Sequence, residues 1–117
     1  MARVFIIEPP TVNVDKAKRF GDIHILLKGE PRLSALDSDR FAGRVIEALE
    51  EFDFQPQDDY LGLVGPLSAV AISLAAMVTR WKGIRCLIYN GGRNDYVLRR
   101  VGRWAYQSKW ETNSEEG

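Results

Sequence analysis

Apolar residues in this chain fall into short runs separated by amphipathic and turn-rich stretches. The runs at residues 3–7, 23–27, 60–64 and 84–89 are rich in Val, Ile and Leu, which is typical of strands. Pro9-Pro10 ends the first run, because proline cannot donate a hydrogen bond to a neighbouring strand. The run at 84–89 is apolar almost throughout, which predicts a strand inside a parallel sheet.

Two longer stretches have the pattern of helices. From residue 37 to residue 52, apolar side chains recur at intervals of three and four and predict an amphipathic helix, capped by Asp37 or Ser38. These apolar positions are Phe41, Val45, Ala48, Leu49 and Phe52. Residues 67–80 are apolar on nearly every side, which predicts a helix buried against the sheet with Pro66 at its first position. Residues 14–20 predict one or two further helical turns.

Residues 60–79 carry no charge, and a run of that length suffices for a membrane-spanning helix. Gly65-Pro66 interrupts the run where a strand would turn into a helix, and the flanking segments have globular patterns. We therefore interpret the run as a buried strand followed by a buried helix, and we expect no membrane partner. The N-terminal apolar run is too short for a signal peptide and is followed directly by Glu8 and two prolines.

The alternation of strands and helices between residues 23 and 89 predicts a βαβαβ core with a parallel sheet. The expected fold is a small three-layer α/β domain of residues 1–110, with a mostly parallel sheet of about four to five strands. Val97-Leu98 and residues 104–106 are candidate strands of a C-terminal hairpin that turns near Gly102, and residues 111–117 are expected to form a flexible acidic tail. In architecture alone, this order resembles nucleotide-sensing Rossmann-like domains, and the resemblance carries over no residue.

Charge is distributed unevenly along a chain whose formal net charge is zero. Residues 1–79 carry −4, residues 80–110 carry +7 and residues 111–117 carry −3. The basic third is the most informative feature of the sequence. The single cysteine, Cys86, precludes an intrachain disulfide, and we expect a cytoplasmic location because that compartment is reducing.

Ligands of open α/β sheets bind beyond the carboxyl ends of the strands, and two loops are predicted to meet there. One turn leads into the second helix, where free backbone N–H groups favour anions, and the other loop contains an arginine that can bind phosphate. The candidate ligand-binding residues are Gly65, Ser68, Asn90, Gly91, Gly92 and Arg93. The first turn lacks the lysine of a Walker A loop and the glycine spacing of a dinucleotide fingerprint. The alternative is that these two dipeptides, Gly65-Pro66 and Gly91-Gly92, only turn the chain.

Aromatic side chains accompany the arginines of the basic third, a combination typical of proteins that hold single-stranded nucleic acid. The candidate nucleic-acid-binding residues are Arg99, Arg100, Arg103, Trp104, Tyr106, Lys109 and Trp110. The same residues suit an acidic protein surface, such as the helix with Glu47, Glu50 and Glu51, within the chain or across a homodimer. The zero net charge is unlike the strongly basic balance of a dedicated nucleic-acid binder.

Catalytic groups are scarce in the sequence. The one histidine, His24, falls inside a strand, and Cys86 lies between apolar neighbours, so both are predicted to be structural. One histidine and one cysteine do not supply the ligand spacing of a zinc site. We therefore predict no catalytic residue, no metal and no cofactor.

The leading functional hypothesis is a non-catalytic binding module for a phosphate-bearing ligand, either a nucleotide or a nucleic acid. The main alternative is an interaction protein without catalytic activity, forming a homodimer or binding an acidic partner. A weaker alternative is a small phosphodiesterase or nuclease in which Ser68 and Arg93 position a phosphate.

Overall fold

The computed structural model of the protein describes residues 2–28 and 37–103. Its five strands are Arg3–Ile6 (β1), Asp22–Ile25 (β2), Tyr60–Gly62 (β3), Gly83–Asn90 (β4) and Asp95–Gly102 (β5). Two α-helices, Ser38–Glu51 (α1) and Leu67–Trp81 (α2), and one 3₁₀ helix, Asp15–Arg19, connect them. The strands predicted at residues 3–7, 23–27, 60–64 and 84–89, the amphipathic helix and the short helical segment near residue 14 are confirmed within a residue or two.

The five strands form one mixed sheet in the order β2-β1-β3-β4-β5. β1 pairs in parallel with both β2 and β3, and β3 pairs in parallel with β4. β5 is antiparallel to β4, so the fold is a small α/β domain with a mixed sheet. The parallel part follows from the crossovers, because each parallel connection must return the chain to the same end of the sheet.

The predicted C-terminal hairpin is wrong in its partners. β5 runs without interruption from Asp95 to Gly102 and pairs with β4 along its whole length, so the turn lies at residues 91–94. Gly102 ends β5 opposite Gly83 and does not form a turn. The other predicted hairpin strand, at residues 104–106, and the predicted acidic tail lie outside the described residues.

α1 begins as predicted, because the Asp37 side chain caps it by accepting a 2.9 Å hydrogen bond from the Arg40 N–H. The prediction for α2 needs two corrections. Pro66 occupies the N-cap position and the helix begins at Leu67. Only a stripe of α2 is fully buried, at Ala69, Ser73 and Met77, while the Leu67 side chain at its start is 84% exposed. A helix that packs on one sheet face buries one stripe, whatever the polarity of its other sides.

Both α-helices pack on the same face of the sheet, where Phe5, Leu61 and Ile84 join the buried stripes of α1 and α2 in one core cluster. Among the described residues, Ala17 and Phe20 at the 3₁₀ helix cover the opposite face. In this part of the chain, the third layer that the sequence predicts is a short 3₁₀ helix. The charge-free run at residues 60–79 is β3 followed by α2, as predicted. Within the described part of the chain, no helix is long and apolar enough to cross a membrane.

Candidate functional site

A crevice of about 620 Å³ lies at the carboxyl ends of β1, β3 and β4. Its walls come from the segment after β1, the turn after β3 and the β4–β5 hairpin. The lining residues are Val12, Asn13, Asp15, Lys16, Leu63, Val64, Gly65, Tyr89, Asn94 and Tyr96. Parallel strands bring these three segments to one edge of the sheet although they are distant in sequence.

Local sequence explains how the chain opens this space. Pro9-Pro10 ends β1 and directs the chain away from the sheet before the 3₁₀ helix begins. After β3, Gly65 adopts a φ of 125°, a conformation that favours glycine, and Pro66 then leads into α2. A smaller cleft of about 240 Å³ lies between these two proline-containing turns. It lies between β1 and β3, where the order of the strands reverses.

One wall of the crevice is aromatic. Tyr89 and Tyr96 are opposite each other on β4 and β5, and their rings meet edge to face with centroids 5.5 Å apart. Tyr96 is buried, which raises the pKa of its hydroxyl, whereas Tyr89 is 48% exposed. The Tyr89 hydroxyl donates to the Asn94 side-chain oxygen and is thereby held at the rim. A flat, half-exposed ring in a fixed position can stack on a planar ligand.

A shallow basic depression of about 410 Å³ adjoins the crevice and shares Asp15, Lys16 and Asn94 with it. Its other lining residues are Arg19, Arg93 and Asp95. Three cations and two carboxylates therefore line it, which leaves a net positive charge.

The cations of the depression differ in how they are paired. Arg19 contacts Asp95 at 3.0 Å and donates to the Tyr96 carbonyl, and Lys16 Nζ donates to the Asn94 carbonyl at 2.8 Å. The Tyr96 N–H and the Arg19 guanidinium lower the pKa of Asp95. The Arg93 side chain makes no hydrogen bond or ion pair within residues 2–28 and 37–103. Arg93 is thus the cation that is available to an anionic ligand.

The model of the family described as Phage Pam3 gp32-like protein matches residues 2–101 of this chain. The chain belongs to that family. No curated protein and no solved structure matched it. The range matched by the gp32-like family takes in all of β1–β4, most of β5 and every residue of the crevice and the basic depression.

The structure brings together only some of the predicted ligand-binding residues in this gp32-like domain. Gly65 lines the crevice and Arg93 the depression, whereas Ser68 is exposed in the first turn of α2 and lines neither. Asn90 ends β4, and Gly91 and Gly92 lie in the hairpin turn, in which the left-handed residue is Asn94.

Sequence analysis missed the segment after β1, with Val12, Asn13 and Lys16, and the aromatic wall. The sequence pattern places β1 outside the predicted βαβαβ core, so it does not indicate a loop at the carboxyl end of β1. The two prolines behind the first apolar run were the signal for a third loop at this edge.

The predicted nucleic-acid-binding residues do not form one surface in the described part of β5. Arg99 lies opposite Cys86 and Arg100 opposite Arg85, so their side chains leave opposite faces of the sheet. Arg103 is exposed just beyond β5. The other four predicted residues, Trp104, Tyr106, Lys109 and Trp110, lie outside the described residues.

His24 and Cys86 both pack among core side chains. The His24 ring packs between Phe5 and Phe52, with centroid distances of 5.7 Å and 5.4 Å. Cys86 is fully buried in the helix-side core. Among the described residues, no group of three His, Cys, Asp or Glu side chains is placed to hold a metal ion.

Burial raises the pKa of the Cys86 thiol from 9.0 to about 11. In the unfolded chain the thiol ionises first, so we expect a contribution to stability that is complete below pH 9 and is lost between pH 9 and about 11. Urea unfolding of the wild-type protein and Cys86→Ala across this range measures it. The difference in unfolding free energy between the two should shrink as the pH rises, and a constant difference would contradict the assignment.

Proposed function

We propose that this domain is a non-catalytic binding module for a phosphate-bearing small ligand, with nucleotides as the favoured class. The observation that carries the proposal is an aromatic crevice that adjoins a basic depression containing Arg93, which makes no ion pair among the described residues. A nucleotide has the two corresponding parts, a planar base and a charged phosphate.

The position of the crevice supports a ligand site. The order of the four parallel strands, β2-β1-β3-β4, is that of flavodoxin-like doubly wound sheets, which bind ligands where the strand order reverses. We propose that the domain is Rossmann-like in this functional sense, although β5 is antiparallel. A volume of about 620 Å³ falls within the range of small-molecule sites.

The chemistry of the walls supports a base and a phosphate side by side. Val12, Leu63 and Val64 offer apolar contact, and the half-exposed Tyr89 ring offers a stacking surface. Asn13 supplies amide groups that can bond to the polar edge of a base. A phosphate that extends from the same ligand into the depression would meet the Arg93 guanidinium, whose fork suits two phosphate oxygens.

Titration calorimetry with nucleoside monophosphates at low salt tests the proposal, with inorganic phosphate as the probe for the basic depression alone. We expect binding of at least one nucleotide, weakened about tenfold in Tyr89→Ala because one stacking contact is lost. Arg93→Ala should weaken the binding of both the nucleotide and inorganic phosphate, since it removes a charge-assisted hydrogen bond. Arg44→Ala is the control, because Arg44 is an exposed cation on α1.

If no nucleotide gives a binding heat, or if Arg44→Ala loses as much binding as Arg93→Ala, the crevice is not the ligand site.

The alternative, a homodimer or an interaction protein, draws support from β5, an eight-residue strand at the edge of the sheet. Sedimentation that shows a doubled mass at high concentration, together with no ligand response, would favour it.

The phosphodiesterase or nuclease hypothesis has less support, because Ser68 and Arg93 line no common cavity among the three described above. A cytoplasmic site of action remains part of the proposal and rests on the single cysteine, Cys86, which is buried and free.

A further inference from the structure

Two arginines lie side by side on the face of the sheet that carries the 3₁₀ helix. Arg85 on β4 and Arg100 on β5 are directly opposite each other in the strand register. Leu87 and Leu98, two residues further along the same strands and also opposite, pack into the cluster of that face. Because side chains alternate along a strand, Arg85 and Arg100 emerge on the same side as these leucines.

Neither arginine has a carboxylate partner in residues 2–28 and 37–103. Arg85 lies over the Tyr60 ring at 4.1 Å, and its Nε is buried without a hydrogen-bond partner among the described residues. Arg100 is exposed. By contrast, Arg3 and Arg19 are each paired with an aspartate.

Like charges directly opposite each other on neighbouring strands repel, with their Cβ atoms about 5 Å apart. An anion that contacts both side chains would offset this repulsion. Planar guanidinium forks match the oxygens of a phosphate. Neither residue lines any of the three cavities described above, so the pair is separate from the crevice.

We propose that Arg85 and Arg100 form a second anion site, separate from the crevice, that binds a phosphate of a nucleic-acid backbone. An exposed arginine and a half-buried one hold a free ion weakly in water, whereas a polyanion releases counterions at every cation it meets. Along the sequence, residues 80–103 contain seven Lys and Arg side chains and one acid, Asp95.

Fluorescence anisotropy with a labelled single-stranded DNA oligomer, and with its duplex, tests the site over a range of salt concentrations. We expect Arg100→Gln to weaken binding about tenfold and to reduce the slope of log K against log salt by about 0.7 for the single strand. In the absence of DNA, the same variant should melt at an equal or higher temperature, because the repulsion is gone. If Arg100 only stabilised the fold, its replacement would lower the melting temperature.

Arg99→Gln is the matched control, because it removes the same charge from the adjacent residue on the other face of the sheet. Equal weakening in the two variants would overturn the proposal in favour of diffuse attraction. The proposal would also be overturned if neither the single strand nor the duplex bound at low salt. It would likewise be overturned if poly-glutamate competed as effectively as unlabelled DNA. Tyr89→Ala separates the two sites, since its loss of nucleotide binding should leave the effect of Arg100→Gln unchanged.

Discussion

Replacing Arg3 with alanine is expected to lower the free energy of unfolding by about 3 kcal/mol. Arg3 contacts the buried Asp59 carboxylate with both Nη2, at 2.8 Å, and Nε, at 3.2 Å. It also donates to the carbonyls of Phe52 and Asp53. The bond to Asp59 raises the pKa of the guanidinium, which stays charged. One side chain therefore joins the start of β1, the end of α1 and the entry to β3.

The large expected effect comes from the partner that Arg3→Ala leaves behind. The Asp59 side chain is only 1% exposed, and without Arg3 it would retain a buried negative charge supported by the Gln55 N–H. Equilibrium urea unfolding measures the change. Arg80→Ala is the control, because it breaks an exposed pair with Glu50 and should cost less than about 1 kcal/mol. Similar losses in the two variants would mean that the burial of Asp59 has no consequence for stability.

Gly102→Ala is expected to destabilise the protein by about 3 kcal/mol, through two independent causes. Gly102 has a φ of 98°, which an L side chain rarely adopts. A Cβ atom at this position would also overlap the Lys82 carbonyl oxygen, which is backbone and cannot move without shifting the end of α2. That carbonyl accepts a 3.0 Å hydrogen bond from the Arg103 N–H, so the overlap would disturb this bond as well.

Gly43→Ala is the matched control, because it is expected to change the stability of the protein in the opposite direction. Gly43 is exposed in the middle of α1, and a Cβ atom there would meet nothing within 4 Å. Because alanine favours the helix more than glycine, Gly43→Ala should stabilise the protein by about 1 kcal/mol. Thermal unfolding of both variants distinguishes the two glycines, and a neutral Gly102→Ala would contradict the backbone geometry at the end of β5.

Much of the fold can be predicted from the sequence, because local patterns determine it. Phe41, Val45 and Leu49 are spaced to form one buried stripe, and Asp37 supplies the cap, so α1 is predicted almost to the residue. β4 is predicted from its apolar run. The partner of β4 is not, because residues 95–102 contain two arginines and no strict alternation, and only pairing with β4 makes them a strand.

The candidate site is harder to predict than the fold. The rule that ligands bind at strand carboxyl ends indicates the edge of the sheet at which the crevice lies, and Gly65 and Arg93 both lie there. The rule does not reveal which side chains meet across that edge, since Lys16 reaches the hairpin only after the chain has folded. Arg99 and Arg100 leave opposite faces because successive side chains alternate along a strand, and the register of β5 decides which face each of them takes.

The β4–β5 hairpin has a consequence for the order in which the chain folds. Its two strands are joined by a short turn and pair along eight residues, whereas each parallel pair forms only after the chain has closed a crossover. Closing a short loop costs less entropy, so the hairpin can form early and offer the free side of β4 as a template for β3. The C-terminal half of the domain can then organise the N-terminal half, in which the shortest crossover joins β1 to β2.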